Sequence, residues 1–313
     1  MEKKATSIGG QALMEGIMMV GPKKKVAAFV AEDGTITTEE VTAPSLIEKY
    51  PVLKKPFLRG VFAFIDTMRL GMKALMMSAE KAGIDENDPE NMSKFEKWLD
   101  KTFGDKIMNF VVGLGSVLGI GLAVVLFFMV PTMLFNLLVR LAGEQISGWR
   151  SVFEGLLRIA IFAGYVALVS RMPDIKRTFQ YHGAEHKTIF CYENDLPLTV
   201  ENVRPQKRFH PRCGSSFLII MLLVGVVVGF FIPFENPVLR TGCKLLCLPI
   251  IMSIGYELIK LCGKHDNVLT RIISAPGLWM QRLTVFEPDD KMMEAAIAAM
   301  EAVIPENGED LLK

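Results

Sequence analysis

The chain has 313 residues, half of them hydrophobic and 22% charged, and its mean hydropathy of +0.32 exceeds that of an ordinary water-soluble domain. Thirty-five basic against 34 acidic side chains leave a net charge of +1, which excludes a global electrostatic case for nucleic acid or an acidic substrate. The five cysteines are an odd number with several in or beside an apolar stretch, which argues against a disulfide scaffold and for a reducing compartment.

In chain order, the opening MEKKATSIGG lacks the apolar run a signal peptide needs, so the N-terminal region is expected to stay where it is made. Lys25 to Val41 reads as a β-hairpin turning at Asp33-Gly34, with β-branched residues on both arms. Residues 56–83 mix apolar side chains with Arg59, Asp66, Arg69 and Lys73, a pattern suited to a helix at a membrane interface or against a bundle. Ser93 to Phe103 reads as a second amphipathic helix, with Phe95, Trp98, Leu99 and Phe103 along one side. Residues 107–139 carry no charge between Lys106 and Arg140 and exceed the roughly 20 residues that cross a bilayer. Pro131 is expected to kink that span or to cut off an interfacial tail. Leu156 to Ser170 is a second span, long enough only if Glu154 and Arg158 lie near the interface. Phe217 to Phe231 and Val238 to Leu261, joined by the turn Pro233 to Pro237, read as a helical hairpin. After Pro288 an Asp-Asp cap opens a short amphipathic helix, KMMEAAIAAMEAV.

The expected fold is a mainly α membrane protein: about four transmembrane helices with interfacial amphipathic helices and a small N-terminal β-hairpin. Three regions follow: residues 1–106 cytosolic or interfacial, 107–262 a transmembrane bundle holding the loop 171–216, and 263–313 a cytosolic tail. That loop concentrates Lys and Arg, so it and both termini are expected on the cytoplasmic side of the cell membrane.

Chemistry concentrates in the same loop. His182 and His186 are four residues apart, so on a helix they share a face and can share an ion, with Glu185 beside them. His-x-x-Glu-His is the inverted zinc-protease pattern, in which the carboxylate activates water. His210-Pro211-Arg212-Cys213 adds an imidazole and a thiolate at a spacing like half a zinc knuckle. His182, His186, His210 and Cys213 together suit Zn²⁺ as cofactor better than Mg²⁺ or Ca²⁺. Four protein ligands would make a closed structural site, and three plus water an open catalytic one with Glu185 as base. The plain alternative makes these histidines interfacial polar residues and Cys213 a small buried one. Glu257, inside the fourth span, is a functional candidate by its cost there, or else a surface partner of Lys260 or Lys264. His265 reads as an interfacial or capping residue, and Cys243 and Cys247 as thiols facing helix neighbours.

The segments IGGQALMEGIMM, PFLRGV, YHGAEHKTIFCYE, HPRCGSSF and APGLWMQRLTVFEPDD resemble the DUF1385, or YqhQ-like, family over nearly the whole chain. The resemblance implies a multi-pass bacterial inner-membrane protein of unknown function, regarded as metal-dependent on the strength of the same His and Cys motifs. It also singles out Gln11 and Glu15, polar residues four apart, as either part of an interface-lying turn or a further base or ligand.

Two functional classes compete. One is a membrane-embedded zinc-dependent hydrolase acting on an unidentified small molecule or protein; the other is a non-enzymatic scaffold or assembly factor with a structural metal. A transporter built on Glu257 ranks last, because the other spans show almost no polar side chains to line a route. The lipid bilayer is the one partner the composition names.

Overall fold

A computed structural model describes residues 5–31, 33–81, 105–265 and 267–311, so the amphipathic helix expected at Ser93 to Phe103 lies outside the described residues. Strands β1 (Gly9–Leu13), β2 (Gly16–Val20), β3 (Lys25–Val30) and β4 (Ile36–Glu40) pair antiparallel in chain order. β3 and β4 are the expected hairpin, with Gly34 at φ 81° in its turn. β1 and β2 widen it, and the turn read around Glu15 is instead the tight connection between two strands, Glu15 taking φ 46°.

Alternation explains why four short strands hold together. Ile17, Met19, Val26 and Ala28 point to one face, and Leu13, Met18, Ala27 and Phe29 to the other, and all are buried. The second face packs on α1 (Leu58–Lys81) through Leu70 and Ala74. The remaining helices, short turns apart, are α2 (Asp105–Val124), α3 (Val130–Ala142), α4 (Arg150–Val169), α5 (Pro173–Glu193), α6 (Gly214–Gly229), α7 (Pro237–Leu246), α8 (Leu248–Lys264), α9 (Val268–Thr284) and α10 (Asp290–Val303). The first face of the sheet packs on α10 and α5, around Tyr181, Met292 and Met300. Asp289 caps α10 by accepting from the Met292 N–H at 2.9 Å. The C-terminal helix is thus central to a core, and the stretch 171–216, read as a loop, contains the 21-residue α5.

The chain forms two compact units. One comprises Met1–Ala82, Ala163–Met221 and Pro249–Lys313; the other comprises Gly83–Phe162 and Leu222–Leu248. Among the described residues two helical stretches, Gly113–Ala142 and Glu144–Val169, are long and apolar enough to cross a membrane, and α7 with α8 makes a third if the broken pair counts as one. The fourth expected span falls on α6, which has 16 residues, or about 24 Å against the roughly 30 Å of a hydrocarbon core.

In the second unit, Pro131 neither stops nor cuts off the helix. The turn Val125–Met129 widens to π geometry just before it, and α3 continues to Ala142. Proline has no N–H for the carbonyl four residues back, and that carbonyl, Phe127 O, accepts from Arg158 Nε at 2.8 Å instead. Glu154 and Arg158, expected at the interface, are both buried. Glu154 binds Arg240 through both oxygens, at 2.9 and 3.0 Å, and also Lys244. Arg240 further donates to the carbonyls of Ile232, at 2.5 Å, and Gly229, at 3.2 Å.

Candidate functional site

Helix α5 presents His182, Glu185 and His186 on one face, as the spacing requires. The segment after α9 crosses this helix at Gly183, where a Cβ would stand 1.9 Å from the Phe286 carbonyl oxygen, so only glycine permits the crossing. The Phe286 N–H donates to Phe179 O at 2.9 Å and locks it. The crossing sets the Thr284 carbonyl 2.9 Å from His182 Nδ1, while the Arg208 carbonyl lies 2.5 Å from His186 Nδ1. Each carbonyl can only accept, so each Nδ1 carries a proton and each Nε2 is the ring atom left to face the cluster.

Those Nε2 atoms meet a thiol. Cys213 immediately precedes α6, where the Ser215 N–H lies 3.4 Å from Sγ, and the helix N-terminus favours a thiolate. His182 Nε2 stands 3.1 Å from Sγ, and His186 Nε2 is buried without a hydrogen bond. The ligand atoms of His182, His186 and Cys213 all lie within 4.8 Å of one another. Burial alone would push the Cys213 thiol up, but His182 and His186 outweigh it and hold it well below the usual thiol range. Burial likewise pulls the His182 imidazole down, and Cys213 with Glu185 reverses that to about 9. Glu185, raised by burial, has Oε1 held by the Gly10 N–H at 2.9 Å and Oε2 buried without a hydrogen bond.

His210 does not join the three. Gln281 clamps its backbone on both sides, accepting from its N–H at 2.8 Å and donating to its carbonyl at 2.7 Å. The ring is thereby turned to Phe190 and Glu193, with Nε2 3.6 Å from the Glu193 carboxylate. Burial keeps this imidazole below its ordinary range in spite of Glu193. Glu15 is likewise elsewhere, paired with Arg177 and 3.3 Å from the Tyr181 hydroxyl. The Gln11 amide lies over Gly71 of α1. Glu257 forms a two-pronged ion pair with Arg59, while the Lys264 side chain, one of the partners expected from sequence, lies outside the described residues. Gly10, Gln281 and Thr284 escaped the sequence reading. Only the doubled glycine at Gly9-Gly10 hinted at a close approach.

A cavity of about 530 Å³ opens on the cluster within this same unit, lined at one end by Glu185, His186 and Cys213. Its lining also includes Ala63 and Phe64 of α1, Phe217 of α6, and Tyr256 and Ile259 of α8.

Residues 55–306 match the family described as "Protein of unknown function (DUF1385)". The chain belongs to the DUF1385 family. It is 36% identical to "Uncharacterized protein YqhQ" of Bacillus subtilis (strain 168) over 309 residues, covering 96% of this chain and 93% of that protein. No solved structure matches it. The DUF1385 match takes in α5, Cys213 and the crossing segment, while β1, with Gly10, precedes it.

Proposed function

We propose that this DUF1385 protein is a membrane-embedded, zinc-dependent hydrolase whose ion is held by His182, His186 and Cys213. The observation that carries this reading is the convergence of two imidazole Nε2 atoms, fixed by backbone carbonyls, on one thiol. Zinc distances of about 2.1 Å to nitrogen and 2.3 Å to sulfur put ligand atoms roughly 3.5 Å apart, within reach of the present spread. Two nitrogens and a sulfur are a zinc set, and three protein ligands leave a position for chemistry. Bound zinc would polarise the scissile carbonyl and lower the pKa of an attacking water. Glu185 takes the proton as water oxygen bonds to the carbonyl carbon, then returns it to the leaving oxygen or nitrogen as that bond breaks. The Gly10 N–H fixes one carboxylate oxygen, leaving the other for this transfer.

The membrane setting is supported by α2, whose Leu114, Val117, Leu118, Ile120 and Leu122 are all exposed, a patch that water would penalise and lipid would not. The basic residues of the 171–216 stretch support a cytoplasmic face for the site and termini.

Elemental analysis of detergent-purified protein tests the reading. Stoichiometric zinc is expected in the wild type and in Glu185→Gln, with loss in His186→Ala and Cys213→Ser. Wild-type protein without zinc, or His186→Ala that keeps it, would refute the assignment.

The 3.1 Å His182–Cys213 contact favours a second reading, in which Cys213 is a covalent nucleophile, His182 its base and the Thr284 carbonyl the orienting group. Iodoacetamide separates the two. Selective alkylation of Cys213 in metal-free as-purified protein supports the nucleophile, whereas protection relieved by chelation supports the ligand.

A further inference from the structure

Helix α1 lines the cavity with Gly60, Ala63, Phe64 and Thr67, and α8 lines it with Tyr256, Ile259, Lys260 and Gly263. Both sets follow the i, i+3, i+4, i+7 spacing of one helix face. Phe64 and Phe217 approach with ring centroids 6.1 Å apart, and the Arg59–Glu257 pair ties α1 to α8. The lining is hydrocarbon and aromatic over most of its area, with Thr67, Lys260 and Arg212 among its polar groups. Such a lining would leave most polar groups of a sugar or a nucleotide without partners. It suits an apolar chain.

The same helices say where that chain comes from. Leu248–Gly263 is one arm of the broken pair apolar enough to span a membrane. On α1, the residues directly beyond the cavity face, Met68, Met72 and Met76, are 52%, 60% and 68% exposed at a regular four-residue spacing. A helix that lines the cavity on one face and exposes methionines on another is suited to lie at a lipid surface with the cavity behind it. The volume, about 530 Å³, falls in the range of roughly 300–1,000 Å³ typical of small-ligand sites and is too small for a whole two-chain lipid.

We infer that the substrate is an acyl amphiphile from the bilayer, its chain lying along Phe64, Phe217 and Ile259 and its head carbonyl reaching the His182–His186–Cys213 cluster. This rests on the hydrolase reading for the reaction, but the seat of the chain is independent of the metal. The bound chain could be one ester-linked arm of a phospholipid, as substrate, or the free fatty acid that its hydrolysis releases, and these share the chemistry that the wall recognises.

The test is photo-crosslinking in vesicles with two probes, a palmitate and a phosphatidylglycerol, each carrying a diazirine in mid-chain, followed by peptide mapping. Labels are expected on residues 58–69, 214–221 and 256–263, and a several-fold loss is expected in two variants that fill the cavity. One is Ala63→Trp. The other is Gly9→Leu, where an added Cβ meets nothing within 4 Å, so the backbone has room for it. Labelling by the phospholipid identifies the ester-bound chain of the substrate, and labelling by palmitate alone the same seat holding the released acid; either supports the inference. Labels confined to α2 and the outer face of α1, or unchanged in both variants, overturn it. Zinc content is read on the same samples. Lost zinc with retained labelling in His186→Ala supports both ideas; zinc-free wild type with retained labelling sinks the metal assignment alone; zinc-loaded wild type without cavity labels sinks this inference alone.

Discussion

Gly183 shows how much one missing methyl controls. Alanine is about 1 kcal/mol better than glycine inside a helix, so on propensity alone Gly183→Ala should stabilise α5. The Cβ would stand 1.9 Å from the Phe286 oxygen, a backbone atom that has no rotamer to change. We expect the clash to win by about 1–3 kcal/mol, read as a lower melting temperature. The displaced segment carries the Thr284 carbonyl, so zinc occupancy should fall with it. A variant as stable as wild type with full zinc would show that the crossing is softer than its geometry implies. Gly10→Ala acts on Glu185, the proposed base, since its Cβ would stand 2.9 Å from the Glu185 carboxyl carbon and 2.8 Å from the Met18 carbonyl. Zinc should stay and turnover should fall. At this scale the local part of the site was legible, because His182, Glu185 and His186 owe their shared face to spacing alone. His210 was not, because its orientation is dictated by Gln281, 71 residues away. A His-x-x-Cys spacing fixes where the backbone turns and leaves the ring's direction open.

Among the helices, the charged residues were the least legible. Glu154 and Arg158 read as a neighbouring pair at an interface, while Arg240 and Lys244 lay unremarked within the expected fourth span. Only the fold, across 86 and 90 residues of sequence, joins Glu154 to Arg240 and Lys244. Apolar periodicity located the helices well but overcounted spans, because hydropathy does not reveal that α6 is short or that the fourth segment breaks into α7 and α8. The buried charges carry a stability prediction. Glu154→Ala leaves Arg240 and Lys244 without their shared carboxylate and should cost about 3–5 kcal/mol in detergent unfolding. Adding Lys244→Met to that variant removes one of the uncompensated charges, so the double variant should be more stable than Glu154→Ala alone. Strict additivity of the two losses would mean that the three groups do not act together.

The unit that carries the site is assembled from three separated stretches of chain, and its two ends close on each other. Thr6 bridges to Leu311, the Ser7 N–H donates to Asp310 O at 2.6 Å, and the Asp310 carboxylate accepts from Thr6 Oγ1 at 2.7 Å and Tyr192 at 3.0 Å. Glu193, at the end of α5, accepts from the Thr6 N–H at 2.9 Å and from Arg212, next to Cys213. Both ends of the chain thus bear on the two elements that supply the cluster. A chain ending at Glu287 would keep His182, Glu185, His186 and Cys213 but lose Met292, Met293 and Met300, uncovering Ile17, Met19 and Ala28 on the sheet. Thermolysin, which cuts before apolar residues, should then cleave within β2 and β3 at concentrations that leave the full chain whole. Asp310→Ala removes the two carboxylate hydrogen bonds, keeps the backbone one and spares α10, so it should cost only about 1–3 kcal/mol and leave the strands protected. Equal resistance of the truncated and full chains would mean that the sheet and α5 hold the site without α10, against the burial of the methionines between them.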